Sequence, residues 1–305
     1  MGAWAQLQRA GLRGHQPERA GRQGPRARHR SHACGGPGLN QLSETFAACK
    51  ARGEGVFMPF LVIGDPDLAT SMKLTEALVD AGADMLEFGF PFSDPPADGP
   101  VIQAADQRAL SQGVTPDDCF DYLDEVNRRF DKPVALLLYY NLVLNRGVEA
   151  FMARARQAGV DAVLVADVPV EEGDALSAAA RAEGIAPVFI ASELTSADRL
   201  RQVRKLADGY LYVVARVGIT GEQAELDGAL APTLQRLRSQ AGLPLLVGFG
   251  LSRPEHVRAV ISAGADGAIC GSALIRRIEA NLGDADAMIR EVGELAGELK
   301  EATRG

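Results

Sequence analysis

The stretch Asp80–Gly89, DAGADMLEFG, recurs in altered form as Gln157–Asp167, QAGVDAVLVAD, and as Ser262–Gly271, SAGADGAICG. In each copy an Ala-Gly pair closes a run of helix formers and opens a short apolar run. Glycine there predicts a left-handed cap that ends the helix. The apolar run predicts a strand covered on both faces. Each copy therefore marks a helix-to-strand corner, and the glycines need no role beyond turning it.

Similar apolar runs lie outward from these corners. They are Val56–Ile63, Met85–Phe88, Val134–Tyr139, Ala162–Val165, Ala186–Ile190, Tyr210–Val214, Leu245–Val247 and Gly267–Cys270. A helical stretch follows each: Thr70–Ala81, Val101–Ser111 with Pro116–Arg129, Val148–Ala158, Glu171–Glu183, Ala197–Leu206, Ala231–Gln240, Pro254–Ala263 and Ala273–Ala280. Strict alternation predicts a parallel sheet of the α/β class. Eight such units in about 250 residues predict a closed (β/α)8 TIM barrel rather than an open doubly wound sheet.

The chain has 305 residues, 47% hydrophobic and 24% charged, which excludes a collagen, a coiled coil and a fully disordered chain. No apolar run nears the roughly 18 residues that span a bilayer, which excludes an integral membrane protein. The net charge of −8 is unevenly spread. Residues 1–38 hold seven Arg, one Glu and no Lys, a net of +6, which leaves 25 basic against 39 acidic residues, −14, in the rest. An acidic body argues against nucleic acid as a partner. The Arg/Gly-rich segment 1–38 carries Trp4, His15, His29 and His32 but few branched apolars, so it reads as a disordered extension before one catalytic domain, 39–305. An organelle transit peptide, a basic arm and a functionless extension all fit its composition. Cys34, Cys49, Cys119 and Cys270 lack paired spacing and read as free thiols of a reducing cytosol. The expected location is cytoplasmic, or a plastid or other organelle if the extension is a transit peptide.

Barrel chemistry sits at the C-terminal strand ends. The polar residues there are Asp65, Asp67, Glu87, Asp94, Asp98, Asn141, Asp167, Glu193, Arg216, Ser252 and Ser272. No lysine follows a strand, which excludes an imine-forming site. His256 is the only histidine outside the extension, which excludes an imidazole triad or an imidazole-bound zinc. Proton transfer therefore falls to carboxylates, tyrosines or water, and no metal is expected.

In MLEFGF, Glu87 points to the face opposite Leu86 and Phe88. If that face is the interior, burial raises its pKa toward neutrality and suits it to acid–base work. If it is the outer face, Glu87 is a surface glutamate paired to a helix. Asp98 lies in the proline-stiffened loop PFSDPPADGP, where a turn-forming role is equally open. The runs VGFGLSRPE (247–255) and AICGSALI (268–275) each open into a helix and put Gly248, Gly250, Gly271 and Ser272 where backbone N–H groups hold an anion. VGITG (217–221) adds Gly221. Simple tight turns are the alternative. These residues point to a lyase or isomerase of a phosphorylated small molecule.

Several segments resemble the tryptophan synthase alpha chain family: FMPFLVIGDPD, ADMLEFGFPFSDPPADGPVIQAA, LLLYYNLVLNRG, DAVLVADVPVEE, GYLYVVARVGITG, GFGLSRPEHV and GAICGSA. The likeness covers about residues 40–282. Pro96, and Ala215 and Ile219 in ARVGITG, depart from the usual family pattern, whereas Arg216, Gly218, Thr220 and Gly221 keep it. The resemblance implies a (β/α)8 barrel that splits indole-3-glycerol phosphate into indole and glyceraldehyde 3-phosphate. It implies Glu87 as catalytic acid and base, Asp98 as the partner of the indole N–H, and Tyr212 beside Glu87. Phe60, Leu137, Leu164, Ile190 and Ile269 would make the indole slot, although each fits the barrel core equally well, and Thr220 would join them. The resemblance also implies docking onto a beta chain in an α2β2 assembly, with pyridoxal phosphate in that partner only and no cofactor in this chain. A stand-alone lyase and a non-catalytic activator subunit are the alternatives.

Overall fold

The computed structural model describes residues 37–214, 223–248 and 250–304. It opens with helix α1 (Pro37–Ala51), then β1 (Val56–Val62), α2 (Leu68–Asp80), β2 (Leu86–Gly89), α3 (Pro100–Ser111), α4 (Pro116–Arg129) and β3 (Val134–Leu138). There follow α5 (Tyr140–Arg146), α6 (Val148–Gln157), β4 (Ala162–Val165), a 3-10 turn (Val170–Glu172), α7 (Asp174–Ala182), β5 (Ala186–Val188), β6 (Ile190–Ser192), α8 (Ala197–Leu206) and β7 (Leu211–Val214). The chain ends with α9 (Gln223–Ala241), β8 (Leu245–Gly248), α10 (Pro254–Ser262), β9 (Gly267–Cys270), α11 (Ser272–Ala280) and α12 (Ala285–Glu301). All of these elements lie within one unit, 32–305.

Every pairing between strands is parallel, in the order β5-β4-β3-β2-β1-β9-β8-β7-β6. The two end strands adjoin through Phe189, so the continuous chain closes the barrel. The expected fifth strand, Ala186–Ile190, is thus two short ones. Ala186 donates to Asp161 on the β4 side, while the Pro187 and Phe189 carbonyls accept from Asp208 and Tyr212 on the other side. Pro187 has no N–H to give that second side. Pairing with β7 therefore begins only past it.

Three helices lie outside the eight expected units: α1, α5 and α12. The first begins at Pro37, so the last two residues of the expected disordered extension are helical; residues 1–36 lie outside the described residues. Helix α12 packs on α2 and α11.

Gly82, Gly159 and Gly264 adopt φ of 98°, 84° and 100°, the left-handed caps expected of the repeat. Each corner does more than turn. Asp84, Asp161 and Asp266 in the three copies accept the backbone N–H of Phe57, Val134 and Leu245, each at the start of the preceding strand, at 2.9, 3.0 and 2.7 Å. The repeat is a clasp that sets strand register at the bottom rim.

Apolar residues form two layers. Met58, Met85, Leu164, Val188, Tyr212 and Ile269 fill the barrel, and a larger shell that includes Phe57, Leu86, Phe88 and Phe120 separates strands from helices. Leu42 of α1 also joins the inner layer, so this helix plugs the floor.

Candidate active site

Along Met85–Phe88, Met85 belongs to the inner layer and Leu86 and Phe88 to the outer one. The period-two alternation of a strand therefore turns Glu87 inward. Glu87 is 1% exposed, and neither carboxyl oxygen has a hydrogen-bond partner among the described residues. Burial, then the charge of Asp98, pushes its pKa up to about 8. An isolated carboxylate in such surroundings would be costly to leave ionised, so the group holds its proton instead.

Asp98, in the loop between β2 and α3, accepts a 2.7 Å hydrogen bond from the Tyr139 hydroxyl. Burial raises its pKa, and the Tyr139 bond works the other way by favouring the anion. Tyr139, at the end of β3, also accepts the Ala97 N–H at 3.2 Å and stacks on Phe92 with ring centroids 5.3 Å apart. Tyr139 thus fixes both the loop and its carboxylate. Its role is not legible in the sequence, because LLLYYN offers two adjacent tyrosines and no sign of which one faces the loop.

Tyr212 of β7 is buried in the inner layer and feels the charges of Glu87 and Asp98; burial, first, and those charges keep its hydroxyl protonated. Phe60 of β1 stands in register with Glu87. Leu137 pairs in register with Leu164, and Ile190 with Tyr212. Leu164 and Ile269 are buried in the inner layer, Leu137 packs against it half-buried, and Ile190 is 40% exposed at the rim. A cavity of about 350 Å³ reaches Leu164 and Ile190 and continues past Asp167 toward Arg199.

Two of the expected anion-binding glycines have a packing reason to be glycine. A Cβ on Gly248 would come within 2.5 Å of the Tyr212 hydroxyl, and one on Gly271 within 3.0 Å of the Phe60 ring. Each glycine makes room for an aromatic side chain of the candidate site. Gly250 follows β8 with φ of 82°, and Ser272 opens α11. Helices α10 and α11 begin without a side-chain cap, so their first N–H groups are not taken up by a capping side chain. Arg216, Gly218, Thr220 and Gly221 lie outside the described residues.

Three other polar residues at strand ends serve structure. Asp65 is held by two hydrogen bonds from Arg108 at 2.6 and 2.9 Å, Asp67 caps α2 through the Thr70 N–H, and Asp167 accepts the Tyr140 N–H. None of the five lysines stands at a C-terminal strand end. Among the described residues no group of three or more His, Cys, Asp and Glu is arranged to hold a metal, and no helix is long and apolar enough to cross a membrane.

A family model described as tryptophan synthase alpha chain matches residues 46–304. A tryptophan synthase alpha chain of Shewanella amazonensis is 48% identical over 266 residues, 87% of this chain and 100% of that protein. The crystal structure of tryptophan synthase subunit alpha from Legionella pneumophila str. Paris superposes with a TM-score of 0.80 at 32% identity, covering 86% of this chain and 98% of that one. A chain of the tryptophan synthase complex from Pyrococcus furiosus gives 0.73 at 34% identity, covering 81% and 98%.

Proposed function

The chain belongs to the tryptophan synthase alpha chain family, and from that premise we propose how its residues divide the work. The reaction is the lyase step of tryptophan biosynthesis, in which indole-3-glycerol phosphate becomes indole and glyceraldehyde 3-phosphate. The observation that carries the assignment is a buried Glu87 inside the barrel, without a hydrogen-bond partner among the described residues, facing a half-buried Asp98 that Tyr139 holds.

Glu87 starts protonated, as its raised pKa favours near neutral pH. It gives that proton to indole C3. Positive charge then develops on the ring nitrogen, and the Asp98 carboxylate, held by Tyr139, stabilises it. The Glu87 carboxylate next takes the proton of the hydroxyl on the carbon bonded to C3. The carbon–carbon bond breaks, the hydroxyl carbon becomes the aldehyde, and the bonding pair returns to the ring. Glu87 ends protonated, and the charges balance without imine or imidazole. Phe60, Leu137, Leu164, Ile190 and Ile269, with Thr220, supply the indole slot, and Tyr212 packs beside Glu87. The phosphate falls to Gly248, Gly250, Gly271 and Ser272, at strand ends that open into uncapped helices, together with Gly221.

The partner is the beta chain of the same synthase, in an α2β2 assembly to which indole is passed. Pyridoxal phosphate belongs to that chain, since this one offers no lysine at the site for an imine. Residues 37–305 are the catalytic domain and 1–36 an accessory extension. Buried free thiols at Cys49, Cys119 and Cys270 fit a reducing cytoplasm. The test is indole release from indole-3-glycerol phosphate by the purified chain, alone and with a beta chain. Release in both, faster in the second, is expected. No release in either would overturn the reading, and equal rates would favour a stand-alone lyase.

A further inference from the structure

The buried face of α3 is formed by Ile102, Ala105, Asp106 and Ala109, an apolar stripe at helical spacing with one carboxyl group in it. Asp106 is 3% exposed. It accepts the backbone N–H of Phe92, while its Oδ2 atom has no hydrogen-bond partner among the described residues. Phe92 stacks on Tyr139, and Tyr139 holds Asp98. Asp106 is therefore the far end of a line that runs from α3 through the β2–α3 loop and β3 to the candidate catalytic aspartate.

We propose that Asp106 is a positioning residue of the lyase reaction, which anchors Phe92 and through it the Tyr139–Asp98 pair, and whose ionisation beside the Asp98 carboxylate loosens that anchor. The role assigned to Asp98 rests on the reading above. The charged and titratable groups that face Asp106 are Asp98 of the loop, Asp65 after β1 and Tyr139 at the end of β3. Both carboxylates oppose its ionisation. The nearby cation, Arg108, is already committed to Asp65 through two hydrogen bonds. Burial, then Asp98, then Asp65 work against the Phe92 N–H and leave Asp106 titrating at about 8. Once ionised, it faces the Asp98 carboxylate across a water-poor cluster, where like charges repel strongly. The anchored loop must then yield.

The experiment compares Asp106→Asn and Asp106→Ala with the native chain. Asn keeps the acceptor for Phe92 and cannot ionise; Ala has neither property. At pH 6.5 Ala should lower kcat about 10-fold or more with a smaller change in KM, and Asn should restore most of the loss. Above pH 8 native log kcat should fall more steeply than that of the Asn variant, because Glu87 and Asp106 both lose a proton in the native chain and only Glu87 does in the variant, whose slope should be near −1. Coincident alkaline limbs, or equal kcat in Asn and Ala, would overturn the proposal. If Ala does not fold, the native-to-Asn comparison decides alone.

Melting temperature supplies an arm that needs no activity. The folded chain keeps a proton on Asp106 that the unfolded chain has shed, so native stability declines from about pH 4 to about pH 8 and then levels. The melting advantage of Asn over the native chain should widen across that window and stay flat above it. An advantage that does not vary with pH would overturn the proposal. Absence of indole release by the native chain would instead count against the family reaction.

Discussion

The bottom rim of the barrel and the candidate site at its top use carboxylates in opposite ways. At the bottom, Asp84 accepts the Phe57 N–H, and Lys300 bridges Asp84 at 2.8 Å and Glu54 at 3.0 Å, with Arg52 and Arg304 also on Glu54. The hydrogen bond from Lys300 leads the effects that bring the pKa of Glu54 down to about 2, so it stays ionised. In the candidate site at the top, Glu87 has no partner among the described residues and Asp106 only one, and both titrate near 8. Partnered carboxylates stabilise a fold, whereas desolvated ones keep a proton available for transfer. The same residue type is a clasp in one place and an acid in the other, and the number of donors around it decides which. A barrel separates these tasks because its catalytic loops all lie at one end.

The sharpest way to break this contrast is Glu87→Gln. Gln keeps the size but cannot transfer a proton, so kcat should fall by about 10³-fold with the fold intact. The pH dependence has a definite sign. The folded pKa of Glu87 is about 8 against an ordinary value of 4.5. The native chain therefore loses stability relative to Glu87→Gln as pH rises from about 4.5 to about 8. Glu54 behaves in reverse: its contribution is present above about 4.5 and is lost as pH falls toward 2. Thermal melts of both proteins from pH 4 to 9 check the first sign, and near-native kcat would remove Glu87 from the mechanism.

Asp98→Asn comes next, with a loss of about 10²-fold in kcat, because an amide carries no full charge to balance the ring cation. Tyr139→Phe should lose about 10-fold, since Asp98 survives but loses its donor. Steady-state indole release separates the two. Equal losses would mean that Tyr139, rather than the charge of Asp98, is what the loop contributes.

How much of this could be read from residues alone follows the same division. The corners were legible because a left-handed glycine before an apolar run is a local signal. The inward turn of Glu87 was legible because strand alternation is local too, once the barrel is assumed. The clasps of Asp84, Asp161 and Asp266 were not, since each bonds a strand some 21 to 27 residues away. Asp106 left a trace, one acid in the apolar stripe of α3, but whether that stripe faces the core or a loop is set by packing. The split of the fifth strand hung on Pro187, whose missing donor matters only when the neighbouring strand is known. Helices α1 and α12 escaped because they belong to no βα unit.

Lys300→Met tests the bottom rim from the other side. It leaves Glu54 and Asp84 facing each other with the two arginines as remaining cations. The loss should be about 2 kcal/mol, discounted from the fully buried case for solvent, or roughly 5 °C in melting temperature. Below that transition kcat should stay native, as Lys300 lies at the opposite end of the strands from Glu87. A matching fall in kcat at low temperature would join the two rims that the structure keeps apart.

The smallest effect is expected from removing residues 1–36. That segment is rich in arginine and glycine and poor in branched apolars, and the family match begins only at residue 46. The family boundary does not mark where the fold can be cut, however. Leu42 of α1 is fully buried in the inner layer, and Phe46 packs against that layer, with its ring centroid 6.4 Å from that of Tyr210. A chain that starts at Pro37 keeps this plug and should match the full chain in melting temperature and kcat/KM. A chain that starts at Ala47 loses both side chains and opens the barrel floor. Deleting one buried leucine side chain alone costs about 2–5 kcal/mol, so this shorter chain should melt well below the other two. Equal melting of all three would show that α1 is a surface helix, and a fall already at the first cut would give residues 1–36 a packing role.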